Sequence, residues 1–200
     1  MPDQPRDEDL VRQAQAGDET AFTELVHRHE RHVYTLALRM LREPADAEDV
    51  LQETFISALR GLKHFRGDAT FATWLYRIAY NATLMKLRRP PAPASLDAAI
   101  ENDENAMPRE LTDWSHDPEA ALMNKETRRV MDAAVAALPE SMRSVFVLRD
   151  IDGLSTDETA AVLDISPEAV KVRLHRARLA LREKLSSYFG APRLTTKGAS

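Results

Sequence analysis

The stretch from Gly153 to Leu185, GLSTDETAAVLDISPEAVKVRLHRARLALREKL, constrains the fold more than any other part of this 200-residue chain. It reads as two short helices joined by a tight turn, the second of them basic. Ser155 followed three residues later by Glu158 is a capping-box pattern for the first helix. Ala160 is small enough to let the second helix cross closely. Leu163-Asp164-Ile165 fits the turn. Asp164 stands where such turns often hold Gly, and Asp tolerates the left-handed conformation better than most residues. Ser166 then caps a second helix, with Pro167 at its first position, where a missing N–H is harmless. Val170, Leu174, Ala177, Leu181 and Leu185 recur at helical spacing and predict a buried stripe. About half a turn away lie Glu168, Val172, His175, Arg176 and Leu179, flanked by Lys171 and Arg173. Such a face fits a DNA major groove, with cations at its edges for phosphates. Structural helical hairpins and protein-interaction modules share this outline, so the segment alone does not assign DNA binding.

The rest of the chain is also patterned for helices. No segment sustains a period-2 alternation, and the expectation is an all-α fold of two small helical domains joined by a flexible linker. The spacing predicts a helix over about Glu8–Ala16, ended by Gly17. A second runs from Asp18 to Leu41, with Phe22, Leu25, Val26, His29, Val33, Leu36, Ala37 and Met40 as its stripe. Pro44 prevents its continuation. A third covers about Asp46–Arg60, with Leu51, Phe55, Ala58 and Leu59 predicted to pack inward. A fourth covers Thr70–Leu87, on Phe71, Leu75, Ile78 and Ala82. From residue 90 to 117 the chain is acidic, broken by prolines and short of apolar pattern, as expected of a linker. Leu111 and Trp114 are its sizeable hydrophobes. Helical pattern resumes over 118–138 and about Glu140–Arg149. The compact parts are thus 8–89 and 118–187, each with a modest core, followed by an unpatterned tail, 188–200.

Composition excludes several classes. With no cysteine, disulfides and thiolate metal sites are ruled out. The acidic, polar start is unlike a signal peptide, and no apolar run is long enough to span a bilayer, so a cytoplasmic protein without membrane insertion is expected. The net charge of −5 is unpromising for nucleic acid, but its distribution is uneven. Residues 60–89 hold 7 Lys/Arg against 1 Asp/Glu, net +6, while residues 1–59 hold 6 against 13, net −7. The local field governs binding.

Three side-chain groups carry candidate chemistry. Trp74, Arg77, Asn81 and Arg88 fall near one line of the fourth helix, and the loop before it adds Lys63, His64, Phe65 and Arg66. Rings interleaved with cations and an amide suit single-stranded nucleic acid, although Phe65, Trp74, Tyr76 and Tyr80 fit equally well as core residues with a cationic rim. Asp46, Glu48, Asp49, Gln52 and Glu53 make an acidic helix face, either solvated or a dock for a basic partner. His27, His29 and His32 lack the shared face and the acidic ligand a metal site needs, and no cofactor is expected. No phosphate-binding loop, nucleophile elbow or zinc-protease signature is present, and the chain is not expected to be an enzyme.

Two long segments resemble a known family. ADAEDVLQETFISALRGLKHFRGDATFATWLYRIAYNATL (45–84) and LPESMRSVFVLRDIDGLSTDETAAVLDISPEAVKVRLHRARLALREKL (138–185) are similar to the second and fourth conserved regions of bacterial RNA polymerase sigma factors of the extracytoplasmic-function group. The resemblance implies a transcription initiation factor that binds core RNA polymerase and directs it to promoters. By it, 8–89 is region 2 and 118–187 is region 4. Asp46, Asp49, Gln52 and Glu53 would dock on the polymerase. Lys63, Phe65, Arg66, Trp74, Arg77, Asn81 and Arg88 would melt and hold the minus-10 element. Ser166, Glu168, Lys171, Val172, Arg173, His175 and Arg176 would read the minus-35 element as duplex. An anti-sigma protein is a further partner by family habit. Two other readings remain at this stage: a dimeric helix-turn-helix regulator, and a sigma-like interaction module that never initiates transcription.

Overall fold

Four of the helices begin where the sequence supplies a capping side chain, Asp18, Thr70, Ser155 or Ser166. A computed structural model describes residues 5–88 and 125–189. The expected linker, 90–117, lies outside the described residues, as does the tail beyond Phe189. Helix α1 (Asp7–Gln15) opens with three acidic residues in its first turn and ends ahead of Gly17, whose φ is 102°. Helix α2 (Glu19–Leu41) is capped by Asp18, whose carboxylate accepts from the Thr20 and Ala21 N–H groups at 2.9 and 3.2 Å. The Thr20 hydroxyl and these amides hold that carboxyl below its ordinary value. Helix α3 (Pro44–Gly61) starts with proline, and a single 3-10 turn (Leu62–His64) follows it. Helix α4 (Phe71–Arg88) is preceded by Thr70, whose hydroxyl accepts from the Thr73 N–H at 3.1 Å.

In the C-terminal half, α5 (Lys125–Ala136) and α6 (Glu140–Phe146) flank Pro139. The chain then departs from expectation. The helix predicted to run to Arg149 keeps α-helical bonding only to Phe146, and a widened π turn spans Val147–Ile151. The Asp152 N–H reaches back to the Val147 carbonyl at 2.9 Å. Such an extra-residue turn rotates the chain that follows it. Helix α7 (Thr156–Leu163) has the predicted capping box: the Glu158 N–H donates to the Ser155 hydroxyl, and the Ser155 N–H to the Glu158 carboxylate. Asp164 is left-handed, with φ 54°, and α8 (Pro167–Phe189) follows with the Ser166 hydroxyl accepting from the Ala169 N–H. The predicted stripe of α8 faces in: Val170, Leu174, Ala177 and Leu181 are buried and Leu185 half-buried.

All regular structure among the described residues is helical. One expectation of the core was wrong. Leu59 is exposed, and the inward face of α3 is Ala47, Val50, Thr54 and Ala58, with Leu51 and Phe55 half-buried. Small residues let α3 lie close to α2, where Ala37 and Leu38 cluster with Ala47 and Val50. A larger feature was not foreseen. The two halves share one continuous apolar cluster, running from Leu10 and Val11 through Leu75 and Tyr76 to Leu148, Val162 and Leu181. Helix α4 of the first half packs directly on α7 of the second.

The left-handed Asp164 generates a stability prediction. Asp164→Gly should be neutral or stabilise by up to about 1 kcal/mol, whereas Asp164→Val should destabilise by about 1–2 kcal/mol. Urea denaturation of both variants measures the difference.

Candidate nucleic-acid and polymerase interfaces

Helix α4 presents three distinct faces at 100° per residue. Phe71, Leu75 and Ala79 are buried towards the first half, with Ile78 and Ala82 half-buried beside them. Thr73, Tyr76 and Tyr80 are also buried, but part of their cover comes from the second half. The Thr73 hydroxyl donates to the Glu158 carboxylate of α7 at 3.3 Å, and the Tyr76 hydroxyl lies against Asp152. The third face carries Arg77, Asn81 and Arg88, all exposed, together with the half-buried Trp74. The second half of the chain therefore covers a different side of α4 from the predicted nucleic-acid face.

The aromatic residues of that face form a packed cluster. Trp74 lies 5.0 Å from Phe65 and 5.7 Å from Phe71 between ring centroids, and Phe71 is 5.4 Å from the His29 ring. Gly61 closes the back: a Cβ there would sit 3.2 Å from the Trp74 ring. So Trp74 and Phe65 are structural members of the cluster as well as its outer surface. Lys63, His64 and Arg66 are exposed around them, and Arg66 lies 3.6 Å from Asp68. The Gln15 side-chain amide donates to the Leu62 and Phe65 carbonyls, both at 2.9 Å. Sequence reading missed Gln15, because a polar residue at a helix end carries no pattern.

The acidic face of α3 is placed as predicted, with Asp49, Gln52 and Glu53 exposed and Asp46 half-buried. It is not isolated, however. Lys86 near the end of α4 bridges Asp46 at 3.0 Å and Asp49 at 2.6 Å. Its hydrogen bonds to Asp49, and then to Asp46, hold the Lys86 ammonium above its ordinary value. Ile56 and Leu59, exposed large apolar residues one and two turns on, extend this face.

On α8, Glu168, Lys171, Val172, His175 and Arg176 are exposed on the side away from the stripe. Arg173 is half-buried, and its charge reaches the Tyr80 hydroxyl of α4; burial nonetheless pushes that hydroxyl up. Ser166 is engaged as the cap. Arg178, beyond this face, is held by Asp150 in a two-pronged pair at 2.7 and 2.8 Å. His29, a candidate ligand in sequence, has its Nε2 2.6 Å from Asp7, which ties α1 to α2. Among the described residues no helix is long and apolar enough to cross a membrane.

Both halves of the chain are similar to known proteins. The Sigma-70 region 2 profile matches residues 25–90, and the Sigma-70 region 4 profile matches residues 128–181. The chain is 40% identical to the ECF RNA polymerase sigma-E factor of Escherichia coli, over 92% of this chain and 97% of that protein. It is 35% identical to the RNA polymerase sigma-H factor of Pseudomonas aeruginosa, over 91% and 95%. The structure of CnrH in complex with the cytosolic domain of CnrY superimposes with a TM-score of 0.66 at 31% identity, covering 90% of this chain and 97% of CnrH. Bartonella quintana RpoE shares the fold, with a TM-score of 0.59 at 19% identity over 82% and 96%. The chain belongs to the sigma-70 family of RNA polymerase sigma factors, in its extracytoplasmic-function group. Sigma factors are regulatory initiation factors, which act with core polymerase on promoter DNA.

The packing role of Trp74 is open to measurement. Trp74→Ala should lower folding stability by about 2–4 kcal/mol through loss of its ring contacts, while Asn81→Ala should stay within about 0.5 kcal/mol of the parent. Chemical denaturation of the two variants checks this.

Proposed function

We propose that the exposed face of α4 captures the minus-10 element, that the exposed face of α8 reads the minus-35 element, and that the acidic face of α3 docks on core polymerase. The observation that carries this is the separation of surfaces on α4. Arg77, Asn81 and Arg88 are exposed while region 4 covers Thr73, Tyr76 and Tyr80. The chain acts by binding and positioning, with no bond-making chemistry of its own. The −7 of residues 1–59 disfavours bare DNA and favours a basic protein partner. CnrH, its 31% identical likeness, was solved with the cytosolic domain of CnrY, and a protein partner of the anti-sigma kind is proposed for this chain.

This reading requires the halves to part. Promoter elements centred near −10 and −35 lie about 25 base pairs apart, or about 85 Å at about 3.4 Å per step. Packed helices are only about 8–10 Å apart, and here α4 touches α7, which touches α8. The compact form therefore engages one element at a time at most.

In vitro transcription with purified core polymerase tests the assignment. Asp49→Lys with Glu53→Lys should weaken holoenzyme formation at least about tenfold, since a docking face would meet a like-charged partner. Arg176→Ala should relax base preference within the minus-35 element by about 1–3 kcal/mol at one position. Unchanged core affinity removes α3 from the interface, and unchanged promoter selection removes α8 from minus-35 reading.

The junction also makes opening dependent on pH. The Asp152 side chain is 3% exposed, and its Oδ2 accepts no hydrogen bond. Burial pushes its carboxyl up, against His32, Arg39 and the Tyr76 hydroxyl, which pull it down. His32 and Arg39 come from α2, Tyr76 from α4, and Glu158 from α7; His29 lines the same cleft, and Asp132 of α5 lies 4.0 Å from Arg39. A carboxyl raised in the closed form binds more protons there than when open. Closure should therefore be strongest below the ordinary carboxylate value and weaken as pH rises through the raised one, by up to about tenfold per pH unit. The chain has no cysteine, so Arg60→Cys and Glu183→Cys accept a fluorophore pair whose energy transfer reads closure. Asp152→Asn should flatten the dependence.

A further inference from the structure

Helix α1 lies ahead of residue 25, outside the segment matched by the region 2 profile, yet it reaches the proposed minus-10 surface. Its side-chain hydrogen bonds to that surface come from one residue. The Gln15 amide nitrogen donates both of its N–H groups, one to the Leu62 carbonyl and one to the Phe65 carbonyl. These carbonyls bracket Lys63 and His64. The same turn is closed internally by the Phe65 N–H on the Leu62 carbonyl at 3.1 Å. The Gln15 amide thus fixes both ends of the turn that presents the Lys63 and His64 side chains to solvent. It also sets the position of Phe65, whose ring packs at a tilt of 42° against Trp74, on the helix that carries Arg77 and Asn81.

Helix α1 is itself held firmly enough to serve as an anchor. Asp7 at its start lies 2.6 Å from His29 and 3.1 Å from Arg28, and Leu10 and Val11 are buried. Beyond Phe65 the loop has no comparable support. Residues 66–70 are all exposed, and Gly67 has a φ of 77°. The restraint on the loop is therefore concentrated at residues 62–65, where Leu62 is buried, Phe65 packs on Trp74, and Gln15 supplies the side-chain hydrogen bonds.

We propose that Gln15 is a positioning residue for minus-10 recognition. It acts through the loop and does not touch DNA, holding Lys63, Phe65 and Arg66 in register with the face of α4. This rests on the reading of that face as the minus-10 surface. The chemistry of the side chain is specific. Glu has the same shape but offers a carboxylate to two carbonyl oxygens, and Met has similar length but no donor. Lys keeps donors within reach of both carbonyls.

The test uses the full chain with core polymerase. Two promoter libraries, one randomised in the minus-10 element and one in the minus-35 element, are transcribed and the products sequenced. Gln15→Glu and Gln15→Met should each flatten base preference in the minus-10 library by about threefold to tenfold, the range expected for one or two lost hydrogen bonds. Preference in the minus-35 library should be unchanged, and Gln15→Lys should retain most of the minus-10 preference. Equal losses at both elements, with a lowered melting temperature, would reduce Gln15 to a folding residue and overturn the proposal. So would minus-10 preferences equal to the parent's in either donor-less variant. Asn81→Ala in the same libraries separates the two levels. If it alters minus-10 preference and Gln15→Glu does not, only the Gln15 inference fails. If neither does, the reading of the α4 face fails with it.

Discussion

The burial of α4 on two sides is the constraint on which the rest of the structure depends. An 18-residue helix has about five turns, and here two-thirds of its circumference is committed to protein contacts. One side closes the core with α2 and α3. The next is capped by α7 through the Thr73–Glu158 hydrogen bond and the Tyr76–Asp152 pair. What remains is a narrow strip of Arg77, Asn81 and Arg88 edged by Trp74. Packing on α2 and α3 holds those side chains in a fixed relation to the loop carrying Lys63 and Phe65, whether or not α7 is in place. A nucleic-acid surface on a rigid element loses less freedom on binding than one assembled from loops.

Glu158 links local and tertiary structure. It completes the capping box of α7 and accepts from Thr73 of α4. Its hydrogen bonds with Ser155, backbone first, keep it below the ordinary carboxylate value. Asp152, a few residues earlier, is in the opposite condition, pushed up by burial. The π turn at Val147–Ile151 brings this second acid into the junction. An ordinary helical turn would leave it elsewhere. The junction thus holds one acid whose hydrogen bonds favour its charged form and one whose burial disfavours it.

Much of this was legible in the sequence, for stated reasons. The capping box, the left-handed Asp164 and the buried stripe of α8 follow from local rules, and the structure has each of them. The inward face of α3 was misread because periodicity weighs Leu59 above Ala47. The packing of α3 on α2 instead selects small residues. Tyr76 and Tyr80 were visible as aromatics but not as a junction, since nothing in a linear pattern says which half of the chain covers them. The pairing of Lys86 with Asp46 and Asp49 was likewise invisible, being a contact across 37 and 40 positions. The acidic face of α3, the exposed loop cations and the exposed face of α8 were legible because charge and polarity are compositional properties.

The central claim is that two faces of one chain address two promoter elements about 25 base pairs apart. A photo-crosslinking amino acid at Arg77 and, separately, at Val172 tests it most directly, in the complex of this chain with core polymerase and promoter DNA. Both positions are exposed, one on each face. The account predicts crosslinks from position 77 to the minus-10 element and from position 172 to the minus-35 duplex. Crosslinks from both positions to the same segment, or from neither to DNA, would contradict it.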